Sequence, residues 1–236
     1  MQYQDLNNCP SGLIVAVDGP SGAGKSTVCR AVAERFGAQY LDTGAMYRVA
    51  TLHVLQQGIS PEDTDAVIRA TSSLPLEVND DPKSKEVLLA GRDVSAEIRG
   101  PEVTAHVSAV SAIPEVRHNL VALQRGLALK AGRCVLDGRD IGTHVLADAP
   151  LKVFLTASAE VRAQRRHEQD IAAGRESDYQ AVLADVQRRD TADSTRATSP
   201  LRPADDATLV DTSDMTLDQV IDRITDLVIA SAERAS

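Results

Sequence analysis

The chain has 236 residues, of which 43% are hydrophobic, and it carries a formal net charge of −9 at pH 7. A chain of this length and composition can bury a substantial core and fold as one domain. The acidic balance argues against a protein that grips a nucleic-acid polymer along a broad basic face.

The first residues of the chain, 1–8, are polar and lack the basic and then apolar pattern of a secretory signal peptide. No stretch approaches the roughly 18 apolar residues of a membrane-spanning helix. We therefore expect a cytoplasmic protein without a membrane partner, and we expect residues 1–11 to lack fixed structure. The cysteines have no CxxC spacing and the histidines are scattered, so that neither a disulfide framework nor a side-chain metal cluster is predicted.

Buried strands and helices alternate along the chain. Residues 13–17 form a continuous apolar run typical of a strand buried on both faces, and residues 25–36 indicate a helix that ends at Gly37. The alternation predicts an α/β fold with a parallel sheet and helices on both faces. The other elements predicted for this core are strands at 40–42, 134–136, 152–155 and 208–210 and helices at 45–57 and 216–233.

The alternation breaks between residues 60 and 113. The segment 76–94 looks like a small hairpin that turns near Gly91. Helical stretches are expected to open at Pro61 and Pro101 on either side of it, because proline suits the first turn of a helix. We expect a small α+β insert on the core rather than a separate domain.

A glycine-rich turn joins the first strand to the first helix. Gly19, Gly24, Lys25 and Ser26 fit the spacing G-x-x-x-x-G-K-[ST], in the strand and helix context that a P-loop requires. Bare glycines let backbone N–H groups point into one concavity at a helix N-terminus, which suits a triphosphate. Lys25 is expected to reach the β and γ phosphates, and the Ser26 hydroxyl to ligate Mg²⁺. The motif predicts ATP or GTP without identifying an acceptor.

Charged and hydroxyl groups follow two of the predicted core strands, at the sheet edge where open α/β folds bind ligands. Past the second strand these are Thr43, Tyr47 and Arg48, and past the next core strand they are Arg139 and Asp140. A helix start capped by Thr43 and a turn rich in glycine and aspartate are the simpler interpretations. We favour an anion pocket for the first set and substrate binding for the second.

Arginines concentrate on a predicted helical hairpin that breaks at Gly174 and restarts near Asp178. Six charged residues fall on two helical faces, at i, i+3 and i+4 and at i, i+4 and i+7: Arg162, Arg165 and Arg166, then Arg189, Asp193 and Arg196. Surface ion pairs worth about 0.3–0.5 kcal/mol each would explain such a hairpin. Beside a triphosphate loop, it is better explained as a lid whose arginines close on transferring phosphates.

Five motifs in this order resemble those of the bacterial cytidylate kinases, which move the γ-phosphoryl group of ATP to CMP or dCMP. They begin at Asp18, Leu41, Asp93, Asp137 and Arg188. The resemblance covers the chain from about residue 13 to the last helix. It implies a P-loop three-layer core at 12–59, 114–160 and 197–236, an insert that binds the monophosphate at about 60–113 and a helical lid at about 161–196.

The resemblance also implies residue roles. Mg²⁺ is expected as the cofactor of ATP, and we expect the protein to work as a monomer. The residues expected to bind ATP are Gly19, Pro20, Ser21, Gly22, Ala23, Gly24, Lys25, Ser26 and Thr27. The residues expected to act in catalysis are Lys25, Arg165, Arg166, Arg189 and Arg196. The residues expected to bind CMP are Thr43, Tyr47, Arg48, Ser108, Arg117, Arg139, Asp140, Arg189, Asp193 and Arg196.

Within the last set, Ser108, Arg117 and Asp140 would read the cytosine edge, which offers an amino donor beside two acceptors. Asp193 would hold the ribose hydroxyls. The expected mechanism is direct in-line transfer without a covalent enzyme intermediate. Two alternatives stay open, namely a P-loop kinase for UMP, AMP or shikimate and a nucleotide-gated binding protein without catalysis.

Overall fold

The computed structural model describes residues 13–235 of the chain, so the expectation for residues 1–11 lies outside the described part. The strands are β1 (Ile14–Asp18), β2 (Gln39–Asp42), β3 (Leu76–Glu77), β4 (Leu88–Leu89), β5 (Arg92–Asp93), β6 (Cys134–Gly138), β7 (Leu151–Thr156) and β8 (Thr208–Asp211). The helices are α1 (Lys25–Arg35), α2 (Thr43–Gln56), α3 (Thr64–Thr71), α4 (Pro101–Ala112), α5 (Pro114–Ala131), α6 (Ala159–Ala172), α7 (Tyr179–Thr195) and α8 (Leu217–Ala235).

Five strands form one parallel sheet in the order β2-β6-β1-β7-β8, which confirms the predicted strands and their alternation with helices. β1 lies at the centre, and Val15, Ala16 and Val17 are fully buried. Helices cover both faces of the sheet, so a central strand has no polar face. This is why a continuous apolar run predicted β1 correctly.

Each face of the sheet has its own apolar cluster. On one side β1 packs with α1 and α8 through residues such as Val32 and Ile224. On the other side Leu136 of β6 packs with Val121 and Ala128 of α5. The core therefore has three layers, as expected from the sequence.

The insert contains α3, α4 and a small antiparallel sheet in the order β3-β4-β5. The hairpin turn lies at Ala90 and Gly91, both with positive φ, close to the predicted position. α4 begins at Pro101, as predicted, but the helix expected at Pro61 begins at Thr64. Asp63 sets this start, because its carboxylate accepts the N–H of Ala66 at 3.0 Å. The sequence boundaries of the insert stay a prediction.

The helical hairpin of α6 and α7 follows the prediction. Gly174 has φ +72° at the break, and the Asp178 side chain caps α7 by accepting the N–H of Ala181 at 2.7 Å. Over residues 13–235, no helix combines the length and apolar character needed to cross a membrane.

Candidate active site

The P-loop follows β1 and leads into α1. Gly19 has φ +151°, and a Cβ added there would lie 1.9 Å from the carbonyl oxygen of Leu155 in β7. Lys25 is buried, and its amine donates to the carbonyl oxygens of Gly19 and Pro20, both at 2.8 Å. Burial and then the charge of nearby Arg139 lower the pKa of Lys25 to about 7. The lysine thus braces the loop from inside, next to a guanidinium group of the predicted acceptor site.

A carboxylate at the end of β6 faces the P-loop. The Ser26 hydroxyl donates to Asp137 Oδ2 at 3.0 Å, and the Tyr40 hydroxyl donates to Oδ1 at 2.7 Å. Burial and then the charge of Asp42 raise the pKa of Asp137 to about 6. A hydroxyl and a carboxylate beside a triphosphate loop are the oxygen ligands that Mg²⁺ uses in P-loop proteins.

No group of three or more His, Cys, Asp or Glu residues that could hold a metal occurs within residues 13–235. A divalent ion at Ser26 and Asp137 would therefore take its remaining ligands from phosphate oxygens and water. The hydrogen bonds of Asp137 to Ser26 and Tyr40 were not predicted from the sequence, although its place at the end of a predicted core strand was a usable signal.

Asp18 is a second buried carboxylate that sequence reasoning missed. Its two oxygens accept the backbone N–H groups of Ile141 and Gly142, both at 2.7 Å. These bonds hold a π-helical turn at Ile141–Val145 directly after Arg139 and Asp140. Burial raises the pKa of Asp18 to about 6, and the two hydrogen bonds oppose that rise. The P-loop strand therefore fixes the segment that carries two of the predicted substrate ligands.

Thr43 does not cap α2. The cap is Asp42, whose carboxylate accepts the N–H of Ala45 at 2.8 Å. Thr43 is the first residue of the helix, and its hydroxyl donates to the backbone oxygen of Asp137 at 2.7 Å. The simpler interpretation of this residue as an N-cap is wrong, because the preceding carboxylate occupies that place.

An open cleft contains the side chains that were expected to bind CMP. The ten predicted residues all line it, and they come from the core, the insert and the hairpin. The remaining lining residues are Gly44, Val107, Ser111 and Gly138. The structure brings these residues together, and their individual roles stay predictions.

Arginines dominate one part of this cleft. Burial lowers the pKa of Arg48 to about 10 and also lowers the pKa of Arg189, and in each case another arginine adds to the effect. Arg139 donates to Asp193 Oδ2 at 2.9 Å. Buried guanidinium groups this close repel one another unless an anion lies between them. Their planar donors match the oxygens of a phosphate group.

A buried ion pair lies elsewhere in the cleft. Arg117 pairs with Asp140, with side chains only 3% and 5% exposed, and Arg196 Nη2 lies 3.8 Å from Asp140 Oδ1. Tyr47 Oη and Arg117 Nε are buried without a hydrogen-bond partner. Buried polar atoms of this kind are normally satisfied, so a polar ligand fits here. A carboxylate beside guanidinium donors matches the amino group and acceptors of cytosine.

The three arginines of α6 point to three different places. Arg165 donates to Thr212 Oγ1 at 3.0 Å and to its backbone oxygen at 2.6 Å, and Arg166 donates to Asp185 at 2.9 Å. Arg162, for which no individual role was predicted, contacts the P-loop and α7. The roles of Arg165 and Arg166 at the phosphates stay predictions, and Arg166 is the one beside the buried Arg48 and Arg189.

A P-loop, a second pocket rich in arginine and a three-layer α/β core define a P-loop kinase. The gluconokinase from Sinorhizobium meliloti 1021 aligns with a TM-score of 0.50 over 95% of both chains, at 18% sequence identity, and this likeness supports the fold alone. The family model for cytidylate kinase matches residues 15–230. The chain therefore belongs to the cytidylate kinase family.

Curated relatives agree over almost the full length of the chain. The cytidylate kinase of Corynebacterium glutamicum is 73% identical over 225 residues, which are 95% of this chain and 98% of the relative. That of Rhodococcus opacus (strain B4) is 61% identical over 95% of this chain and 97% of its own. That of Mycobacterium avium (strain 104) is 58% identical over 94% and 98%.

Proposed function

We propose that this chain transfers the γ-phosphoryl group of ATP to CMP and dCMP, giving ADP with CDP or dCDP. The observation that carries the proposal is the cleft beside the P-loop, where Arg48, Arg139 and Arg189 converge near the buried pair of Arg117 and Asp140. Membership of the cytidylate kinase family supports the same reaction. An acceptor with a phosphate and a cytosine base satisfies both groups of residues at once.

The residues divide the work of binding the acceptor. The three arginines bind the phosphate of CMP and aim one of its oxygens at the γ-phosphorus. Asp140 accepts from the N4 amino group while Arg117 donates to the ring acceptors, and Asp193 takes the ribose hydroxyls. Ser108, Arg196 and Tyr47 complete the wall of the cleft.

The transfer is a direct displacement. The bond from the γ-phosphorus to the bridging oxygen of ADP breaks as the bond to the CMP oxygen forms, while Lys25, Arg166 and Arg189 hold the charge that develops. Cys29 and Cys134 are buried, and burial raises the pKa of each thiol, that of Cys134 to about 12. Neither is suited to act as a covalent nucleophile.

Mg²⁺ accompanies ATP in this proposal, held by the Ser26 hydroxyl and the Asp137 carboxylate. When bound, it neutralises charge on the β and γ phosphate oxygens. We also propose that the protein works as a cytoplasmic monomer. It acts on free nucleotides, because its net charge of −9 disfavours nucleic-acid polymers.

The test is ADP production from ATP and Mg²⁺ with CMP, dCMP, UMP, AMP or shikimate offered separately. We expect the highest kcat/KM with CMP and dCMP. Activity restricted to the last three acceptors would overturn the proposal in favour of another P-loop kinase. ADP release without any acceptor would favour a nucleotide-gated switch.

A further inference from the structure

Arg162 joins three segments of the chain from a buried position in α6. Its Nε donates to the backbone oxygen of Ala157 at 2.9 Å, and its Nη1 donates to the backbone oxygen of Ser21 in the P-loop at 3.1 Å. Its two terminal nitrogens also bind Asp190 of α7, at 2.9 and 2.6 Å. The Arg162 side chain is only 5% exposed, so all its donors depend on these protein partners.

The contact with Ser21 orients one peptide unit of the P-loop. A trans peptide is planar, and its C=O and N–H point in opposite directions. Because Arg162 holds the Ser21 oxygen, the N–H of Gly22 points away from Arg162. The loop also rests on this residue directly, since a Cβ added at Gly22 would lie 3.2 Å from Arg162 Cβ.

The contact with Asp190 sets the rotation of α7 about its axis. Arg189 and Asp193 are four residues apart and line the acceptor cleft. Asp190 lies about 100° around the helix from Arg189 and faces α6 instead. The bidentate geometry of an arginine and a carboxylate resists rotation in a way that a single contact does not. The same guanidinium group that holds the P-loop thus holds the helix that presents Arg189.

We infer that the pair of Arg162 and Asp190 positions the P-loop and α7 relative to each other, so that each nucleotide binds more tightly when the other is present. These are positioning residues, because they act through Ser21 and Arg189 and not on the reacting atoms. The inference rests on the proposed function, since it needs CMP in the cleft that Arg189 lines. Such coupling is reciprocal by thermodynamic necessity.

The experiment measures binding by calorimetry with CMP, with the β,γ-imido analogue of ATP and Mg²⁺, and with each ligand on the complex of the other. In the natural protein we expect each ligand to raise the affinity of the other by roughly 5- to 20-fold. In Asp190→Asn we expect the coupling to be nearly lost, so that each ligand changes the affinity of the other by no more than about twofold. The affinity for each ligand alone should stay within about threefold of the natural value.

Two further variants separate coupling from general damage. Asp190→Glu keeps the carboxylate and should restore more than half of the coupling free energy. Asp170→Asn removes a carboxylate that pairs with Arg175 on the same hairpin, away from the P-loop, and should keep the full coupling. If Asp190→Asn does not fold, Arg162→Lys decides, because lysine keeps the charge but cannot span both partners.

The inference is overturned if Asp190→Asn keeps the natural coupling factor, if Asp170→Asn loses it equally, or if the natural protein shows no coupling. If the protein phosphorylates CMP but gives any of these results, the inference alone is wrong and the proposed function stands. If the protein does not bind CMP, the proposed function is wrong as well.

Discussion

Buried carboxylates at the ends of β1 and β6 hold the loops that carry the binding groups. Asp18 binds two backbone N–H groups after β6, and Asp137 binds the hydroxyls of Ser26 and Tyr40. Both carboxyl groups have a raised pKa because burial disfavours the charged form. A charged group buried in such a place lowers the free energy of unfolding, and other interactions in the fold must offset that cost.

The first prediction concerns the pH dependence of stability. The pKa of Asp18 is about 6 in the folded chain against 3.8 as its ordinary value. The folded state therefore binds this proton more tightly than the unfolded state, and the contribution of the group to the free energy of unfolding falls as pH rises through 4 to 6. Asn does not titrate, so Asp18→Asn removes this decrease in the free energy of unfolding with pH. The variant also loses one hydrogen bond to a backbone N–H, worth about 1 kcal/mol.

We therefore compare the free energy of unfolding of Asp18→Asn with that of the natural protein. This difference should shift by about 2 kcal/mol in favour of Asp18→Asn between pH 4.5 and pH 7.5. Urea denaturation at the two pH values measures the difference. Asp222→Asn, at a solvent-exposed carboxylate of α8, serves as the control for the removal of one carboxylate. A stability difference for Asp18→Asn that is constant with pH would contradict the assignment.

The second prediction concerns Arg189. It is buried and lies beside Arg139 and Arg166. We expect Arg189→Ala to lower kcat with CMP by roughly 10³-fold and to change the affinity for ATP by no more than about threefold. Arg188→Ala is the matched control, since the Arg188 side chain is 57% exposed and pairs with Asp185. Steady-state kinetics with CMP varied at saturating ATP give kcat, and calorimetry with the β,γ-imido analogue of ATP and Mg²⁺ gives the nucleotide affinity. An unchanged kcat in Arg189→Ala would refute the role.

At the scale of whole elements, long buried strands and helices could be predicted because their apolar pattern is local. The two-residue strands β3, β4 and β5 are too short to carry a period, so the segment 76–94 could be predicted only as a hairpin that turns near Gly91. The start of α3 was misplaced because a proline signal competed with the Asp63 cap. At α3 a single side chain, rather than a periodic pattern, decided where the helix begins.

The third prediction compares two glycines in different elements. Gly19→Ala would place a methyl group against the Leu155 oxygen of β7 and should lower the free energy of unfolding by about 3 kcal/mol or more. Gly126→Ala, at an exposed helical position of α5 with open space around it, should raise that free energy by about 0.5–1 kcal/mol. Urea denaturation tests both variants. A fully stable Gly19→Ala protein that still binds ATP would show that the loop can move away from β7.

At the scale of the whole molecule, the acceptor cleft is assembled from parts that are far apart in sequence. Arg48 of α2 donates to the Ile98 oxygen at 2.8 Å and to Thr104 Oγ1 at 3.1 Å, so a core arginine is tied to the insert. The residues of this cleft could be predicted from sequence motifs, because each motif is local. Partners such as Ser26 and Asp137, 111 positions apart, could be found only in the folded chain.

The last prediction asks which parts of the molecule respond to each substrate, measured by hydrogen–deuterium exchange. CMP alone should slow exchange in α4 and around residues 97–99, because a phosphate on Arg48 stabilises contacts that reach Ile98 and Thr104. The β,γ-imido analogue of ATP with Mg²⁺ should instead slow exchange in the P-loop and in α6, which Arg162 joins to Ser21.

The central strands β1, β6 and β7 provide the internal control, because they are buried on both faces and should already exchange slowly without ligand. Protection of the insert by CMP but not by the analogue, with stronger protection of the P-loop and α6 by the analogue than by CMP, supports a rigid core whose insert responds to the acceptor. Equal protection of all segments by either ligand would contradict that division, since it would mean that insert, core and hairpin respond as one unit.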